Sequence, residues 1–152
     1  MEKLYTVEDI ASMFSLTSRT IRNYLKDGIL KGRKIGGQWR FTEEELKNFM
    51  DNATLAKDIM NRHKQDVLDF IDGVNTDLTG EIQTCTIIDI YEAIEIVNAK
   101  RDKLGDFINT AGNELNPNYM RFSYEYIESE SKGRIILFAP PQYLIEALKI
   151  LQ

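Results

Sequence analysis

The chain has 152 residues, a net charge of −5, one histidine and one cysteine. That length holds one ordinary domain or two small ones. A lone cysteine excludes an intrachain disulfide, and one His with one Cys leaves little from which to build a nucleophilic triad or a metal site. The sequence has no GxxxxGK[ST], GxGxxG or GxSxG element, so no catalytic residue, cofactor or metal is expected and the chain does not read as an enzyme. No apolar run approaches the roughly eighteen residues of a membrane span, and the N-terminus lacks the layout of a signal peptide. A cytoplasmic protein with no membrane partner is the expectation.

The charge is unevenly placed. Up to Thr42 there are eight Lys/Arg against four Asp/Glu, net +4; from Glu43 onward there are eleven against twenty, net −9. A basic head on an acidic body suits a protein that meets a polyanion with one end only.

In that head, Thr6 stands at an N-cap position with Asp9 three residues on, followed by Val7, Ile10, Ala11 and Phe14 at helical spacing. Ser15-Leu16-Thr17 is long enough only for a turn. Thr17 or Ser18 then caps a second helix, over 18–27, whose apolar face is Ile21, Tyr24 and Leu25 and whose stop is Gly28. Ser18, Arg19, Arg22, Asn23 and Lys26 project from the other face. Arg pairs with guanine edges and phosphates, Asn can read adenine, and Ser or Lys can hold phosphates. An ordinary solvated face is the competing reading for that surface alone. The next segment favours the first reading. Leu30–Ile35 and Gln38–Phe41 flank Gly36-Gly37, a two-residue hairpin signal, and the ribbon carries Lys31, Arg33, Lys34 and Arg40. Thr42-Glu43-Glu44-Glu45 is a full capping box opening a third helix with Leu46 and Phe49 inward. The order is that of a winged helix-turn-helix.

The motif Thr20-Ile21-Arg22-Asn23-Tyr24 with Gly28-Ile29-Leu30, and the wing Ile35-Gly36 with Trp39-Arg40 and Phe41-Thr42, resemble the excisionase-type helix-turn-helix, a branch of the MerR-like winged helices. The resemblance covers residues 4–50. It implies that the second helix enters the major groove and that the wing, 31–41, touches the backbone or minor groove. By match those roles fall on Arg19, Arg22 and Asn23, and on Arg33, Lys34 and Arg40, with Tyr24 and Trp39 bracing. Gln38 departs from the pattern, since a basic residue is common there. With the helix-face residues, the candidate DNA-contacting set is Ser18, Arg19, Thr20, Arg22, Asn23, Lys26, Arg33, Lys34, Trp39 and Arg40.

Asp51-Asn52 is a polar break that ends a DNA-binding unit over 1–51. Over 52–72, Ala53, Ala56, Met60, His63, Val67 and Phe70 step by three and four, with Leu55, Ile59 and Ile71 widening the stripe. This helix either packs on its own chain or pairs with its twin; the dimer is slightly preferred, because such readers commonly bind paired half-sites. His63 is expected to be a satisfied interior or rim histidine. Gly73–Gly80 reads as a loop. A second unit, 81–152, follows: a strand over Ile82–Ile90 with Cys85 buried in it, and a helix over Glu92–Asn109 lined by Ala93, Ile94, Val97, Leu104, Phe107 and Ile108. A loop over Ala111–Asn118 leads to a strand over Tyr119–Glu128 with Met120, Phe122, Tyr124 and Tyr126 on one face. A polar turn, Ser129–Gly133, leads to a strand over Arg134–Ala139. The last helix starts at Pro141 and faces inward with Tyr143, Leu144, Ala147, Leu148 and Leu151. The class is α+β, and the body is a βαββα arrangement related to a ferredoxin-like unit without its last strand.

The expected function is sequence-specific regulation of transcription, with double-stranded DNA as partner and a homodimer as the working unit. An effector is left open, since the aromatic face of 120–126 either walls a small-molecule pocket or packs under the helices. An excisionase-like directionality factor that bends DNA at attachment sites is the alternative, and a protein adaptor with a vestigial DNA module is the third reading.

Overall fold

The computed structural model describes residues 2–73, 81–114 and 120–152. Helix α1 (Val7–Met13) starts at Thr6, whose hydroxyl accepts from Asp9 N at 3.0 Å while the Asp9 carboxylate accepts from Thr6 N at 2.9 Å. This reciprocal pair satisfies two of the donors a helix start leaves open. The chain then reverses at Ser15, which has a φ of 53°. Helix α2 (Ser18–Lys26) is capped by Thr17, and Gly28 follows it at a φ of 76°.

The hairpin strands β1 (Arg33–Ile35) and β2 (Gln38–Arg40) are shorter than the sequence suggests. Leu30 is buried in the core, and Phe41 leaves the ribbon to exchange backbone hydrogen bonds with Tyr5 at 2.7 and 2.9 Å. Burial of these flanking residues limits the ribbon to three pairs. Gly36 and Gly37, both at positive φ, make the tip, as a twisted two-residue hairpin requires. Helix α3 (Glu43–Met50) carries the second capping box, Thr42 with Glu45, and buries Leu46 and Phe49.

Helix α4 (Ala53–Asp72) packs on its own chain. Its buried residues are Leu55, Ile59 and His63, while Met60, expected on the seam, is exposed. The buried stripe thus combines His63 of the expected seam with Leu55 and Ile59 of its margin, while Ile71, also expected at the margin, is exposed; α4 serves two surfaces in turn. His63 Nε2 bonds the Phe14 carbonyl at 2.7 Å at the end of α1, and Phe70 meets the Phe138 ring at 5.8 Å in the body.

The body runs β3 (Thr84–Ile90), α5 (Ile94–Glu114), β4 (Arg121–Ile127), a 3-10 turn at Glu128–Glu130, β5 (Lys132–Ala139) and α6 (Pro141–Leu151). The strand order is β3-β5-β4, with both neighbours antiparallel to β5. The last strand therefore inserts between the first two, and α5 connects the two outer, mutually parallel strands. Helix α5 continues through Gly112, where the sequence suggests a loop; a glycine costs a helix only about 1 kcal/mol, and Ala111 packs on the core. Val97 lies so close to β5 that a Cβ on Gly133 would stand 2.2 Å from it. Residues 74–80 and 115–118 of the two expected loops, and Tyr119, the expected start of the next strand, lie outside the described residues.

One face of the sheet is apolar and covered by α5 and α6. Phe122 and Tyr124, the residues that offered an effector wall, are buried there, and the Tyr124 hydroxyl donates to Asn98 Oδ1 at 2.6 Å. Three assignments shift outward: Ala93, Ile94 and Leu148, expected inside, are exposed, and Ala93 precedes α5. The first turn of α5 overhangs the sheet, and Leu148 lies on a flank of α6. Head and body share a single core in which Tyr5, Phe14 and Phe49 are continuous with Val97, Leu104 and Phe122.

Candidate nucleic-acid interface

The second helix of the head is held by one face only. Ile21 is buried, Tyr24 stacks at 5.5 Å on Phe49, and Leu25 is half-buried. With Ile21 fixed inward, the 3.6-residue period brings Arg19, Arg22, Asn23 and Lys26 to one outer stripe, and all four are exposed. Ser18 and Thr20 are half-buried at its edge. The Thr20 amide donates to Thr17 Oγ1 at 3.1 Å and its hydroxyl lies 2.9 Å from the same atom. Thr20 thus helps build the cap from which the stripe begins. The start of the helix carries no acidic side chain in its first turn, so the positive end of its dipole meets no carboxylate of its own helix there.

Arg22 has one neighbour that the sequence did not reveal. Its Nη2 lies 3.7 Å from Glu8 Oε1 on α1, with both side chains mostly exposed. Such a surface pair is worth little and yields readily to a phosphate. Only the crossing of α1 over α2 brings residues 8 and 22 together, so no local spacing could have flagged Glu8.

The wing has two distinct faces. The register pairs Arg33 with Arg40, Lys34 with Trp39 and Ile35 with Gln38. Since side chains alternate along a strand, Arg33, Ile35, Gln38 and Arg40 share one face, and Lys34 and Trp39 share the other. The Arg40 guanidinium donates to the Trp39 carbonyl at 2.8 Å and to Gln38 Oε1 at 3.0 Å. Gln38 therefore orients an arginine. On the opposite face Lys34 Nζ sits 5.5 Å from the Trp39 ring centre, a cation–π contact that braces the ribbon. The candidate residues thus form an exposed cationic stripe and a cationic ribbon on a rigid three-helix base.

Residues 4–54 match the helix-turn-helix domain family. The match is consistent with an excisionase-type segment and covers a third of the chain. Helix-turn-helix domains bind DNA, and the ordered stripe of α2 lies within the matched region. An uncharacterized protein, YvgK, of Bacillus subtilis (strain 168) is 31% identical over 55 residues, which is 36% of this chain and 18% of that protein. The chain thus covers under a fifth of the length of the relative it matches. No solved structure matches it. Among the described residues no cluster of three or more His, Cys, Asp or Glu could hold a metal ion, and no helix is long and apolar enough to cross a membrane.

Outside the helix-turn-helix domain the most buried charged residue among the described residues is Arg101 of α5, at 3% exposure. Its Nη2 donates to Tyr5 OH at 3.1 Å, to Glu43 Oε2 at 3.1 Å and to Asp102 Oδ1 at 3.0 Å, and its Nη1 to Asn98 Oδ1 at 3.1 Å. The Tyr5 hydroxyl has one proton to share between Glu43 Oε2 at 2.6 Å and Asp102 Oδ2 at 2.9 Å. Burial alone would lower the Arg101 pKa, but Asp102 and Glu43 more than offset it and hold the guanidinium charged. The cluster ties the head to the body. Its signal was present in the sequence: Arg101 falls on the stripe Val97, Leu104, Ile108, where a charge implies a buried partner.

Proposed function

We propose that the chain is a DNA-binding transcriptional regulator that reads the major groove with α2 and grips the backbone or minor groove with the wing. The observation that carries this reading is the stripe of Arg19, Arg22, Asn23 and Lys26, all exposed on a helix whose opposite face is fixed by Ile21. Arg19, Arg22 and Asn23 supply donors suited to base edges, while Lys26 adds charge for phosphates. No enzymatic activity forms part of the proposal. The body is read as a dimerisation unit related to the ferredoxin-like fold, working through residues beyond Ala53. An effector is not included, because the aromatic face that would wall its pocket is filled by α5.

An excisionase-like directionality factor uses the same head, and the segment matched in the family comparison suits it equally. The share of the chain given to the body favours the regulator, since bending DNA needs little more than the head.

The test is quantitative duplex binding with sites selected from genomic fragments. Arg22→Ala and Arg19→Ala should each cost about 1–3 kcal/mol of specific binding while the fold, followed by circular dichroism, stays intact. Unchanged affinity in both variants would remove α2 from the interface. Enrichment of attachment sites instead of promoter fragments would select the directionality factor.

A further inference from the structure

The three-stranded sheet has two edges, and the fold treats them differently. At the β4 edge, Phe14 pairs with Ser123 in an isolated antiparallel bridge, so the head closes that side. At the other edge, β3 pairs only with β5 among the described residues. Soluble proteins usually protect an open edge with a proline, a bulge or an outward charge. None is available here. Thr84–Ile90 contains no proline and keeps an unbroken register with β5. Its one charge, Asp89, is held by Arg134 at 2.8 and 3.0 Å and by Lys132 at 3.0 Å within its own sheet.

The surroundings of that edge are apolar on both faces. Ile87, at the middle of β3, is 54% exposed. On one face, α6 turns Tyr143 toward Phe107 of α5, with ring centres 6.4 Å apart. Ile145 and Leu148 lie on the flank turned away from α5 and are exposed. Since α5 packs on β4 and β5 and α6 on β5, we take that flank to face the β3 side. On the other face, α4 directs Asp66 toward Arg121 of β4, 3.7 Å away. Ile71, five residues further along α4 and so on another flank, is 70% exposed.

We propose that the β3 edge is the two-fold interface of a homodimer, in which Thr84–Ile90 of two chains pair antiparallel about an axis at Ile87 and join two three-stranded sheets into one of six. A second copy fits because the edge is self-complementary. Around that axis Ile87 meets Ile87, Thr86 meets Ile88, Thr84 meets Ile90, and Asp89 meets Cys85 rather than another carboxylate. The acidic body, which would otherwise repel its twin, presents no unpaired charge along this strand. Strand pairing supplies the backbone bonds, and the flanks bearing Ile71 and Ile145 supply apolar area toward the roughly 800 Å² per partner that a stable interface buries. The proposal deepens the reading above by giving the dimer a place; its use, two heads on paired half-sites, rests on that reading.

The full chain is tested in a Cys85→Ser background. Residues directly opposite in an antiparallel pair have Cα atoms about 4.5–5.5 Å apart, within disulfide reach. Ile87→Cys should therefore oxidise to a covalent dimer, while Ile82→Cys, equally accessible but opposite residue 92 in this register, should not. By sedimentation at micromolar concentration the unmodified chain should be a dimer and Ile87→Lys, which sets two ammonium groups across the axis, a folded monomer. A monomeric unmodified chain, a dimer that persists in Ile87→Lys, or cross-linking that is equal at 82 and 87 would overturn the interface. Because the Arg19 and Arg22 measurements read DNA binding separately, loss of this interface with DNA binding retained refutes the dimer alone. A cross-linked dimer that fails to bind DNA refutes the DNA reading alone.

Discussion

Arg33 and Lys34 are neighbours in the chain but stand on opposite faces of the wing, and this separates their roles. Lys34 already rests on Trp39. Arg33 stands across from Arg40, whose guanidinium is oriented by Gln38. Two like charges on one face repel each other until an anion arrives between them, so the Arg33/Arg40 face is the better phosphate site. Arg33→Ala should lower the salt slope of duplex binding by about one and weaken specific and random duplexes alike. Lys34→Ala should change the slope less and act mainly through the packing of Trp39. Titrations across a salt series decide it; an equal loss of slope in the two variants would return both residues to the same role. The basic character of the wing was legible in the sequence, as was its two-glycine tip. The division of labour was not, because it depends on which residue faces which across the ribbon.

Elements with local signals are the ones the sequence reveals. Thr6 with Asp9 and Thr42 with Glu45 mark helix starts because their hydrogen bonds close within one turn. The insertion of β5 between β3 and β4 leaves no such mark, since it is decided by contacts far apart in the chain. Helix α4 is intermediate. Its helical period was plain, but the face it buries was not, because a stripe with apolar residues on both sides can turn either way. The structure decides through His63, which is 4% exposed and donates to the Phe14 carbonyl beside the helix-turn-helix turn. Burial lowers the pKa of His63 below its usual 6.5, against smaller opposing effects from that hydrogen bond and from Glu125 and Asp66. The unfolded chain then binds a proton at a higher pH than the folded one. Stability from the neutral ring is complete above about pH 6.5 and is lost as pH falls through that value toward the folded pKa. The urea midpoint should therefore fall between about pH 7 and pH 5.5, before most carboxylates titrate, and His63→Gln should flatten that dependence. A midpoint independent of pH over this window would show that the ring is not held neutral.

At the scale of the whole molecule, the head is not an independent bead on a linker. Phe14 gives its carbonyl to α4 and its backbone to the β4 edge, and Tyr5 reaches Asp102 of α5. Asp9 and Ser12 of α1 both bond Asn109. A fragment ending at Asp51 would expose Tyr5, Met13 and Phe14, all buried in the full chain. Weak DNA binding by that fragment would thus report lost folding as much as a lost second head. Arg101 offers a cleaner probe of the joint. It is a single charge that bonds Tyr5 and Glu43 of the head and Asn98 and Asp102 of the body, and it lies 4.9 Å from the Tyr124 ring centre. Arg101→Ala removes the cation and leaves Glu43 and Asp102 facing each other across the buried Tyr5 hydroxyl. Breaking one side of a fully buried ionic cluster costs about 3–5 kcal/mol, most of it from the charges left behind; here the Asp102 side chain is 16% and that of Glu43 44% exposed, so water screens part of that charge and the loss falls at or below the lower end. Arg101→Ala should therefore lower the urea midpoint by an amount of that order. A combined Arg101→Met, Asp102→Asn, Glu43→Gln variant, which removes the stranded charges as well, should recover much of the loss. If Arg101→Ala costs less than about 1 kcal/mol, the cluster is a bystander and the shared apolar core alone carries the joint. If the triple variant is no more stable than the single one, the loss comes from packing of the arginine stem against Tyr5 and Tyr124 and not from unpaired charge.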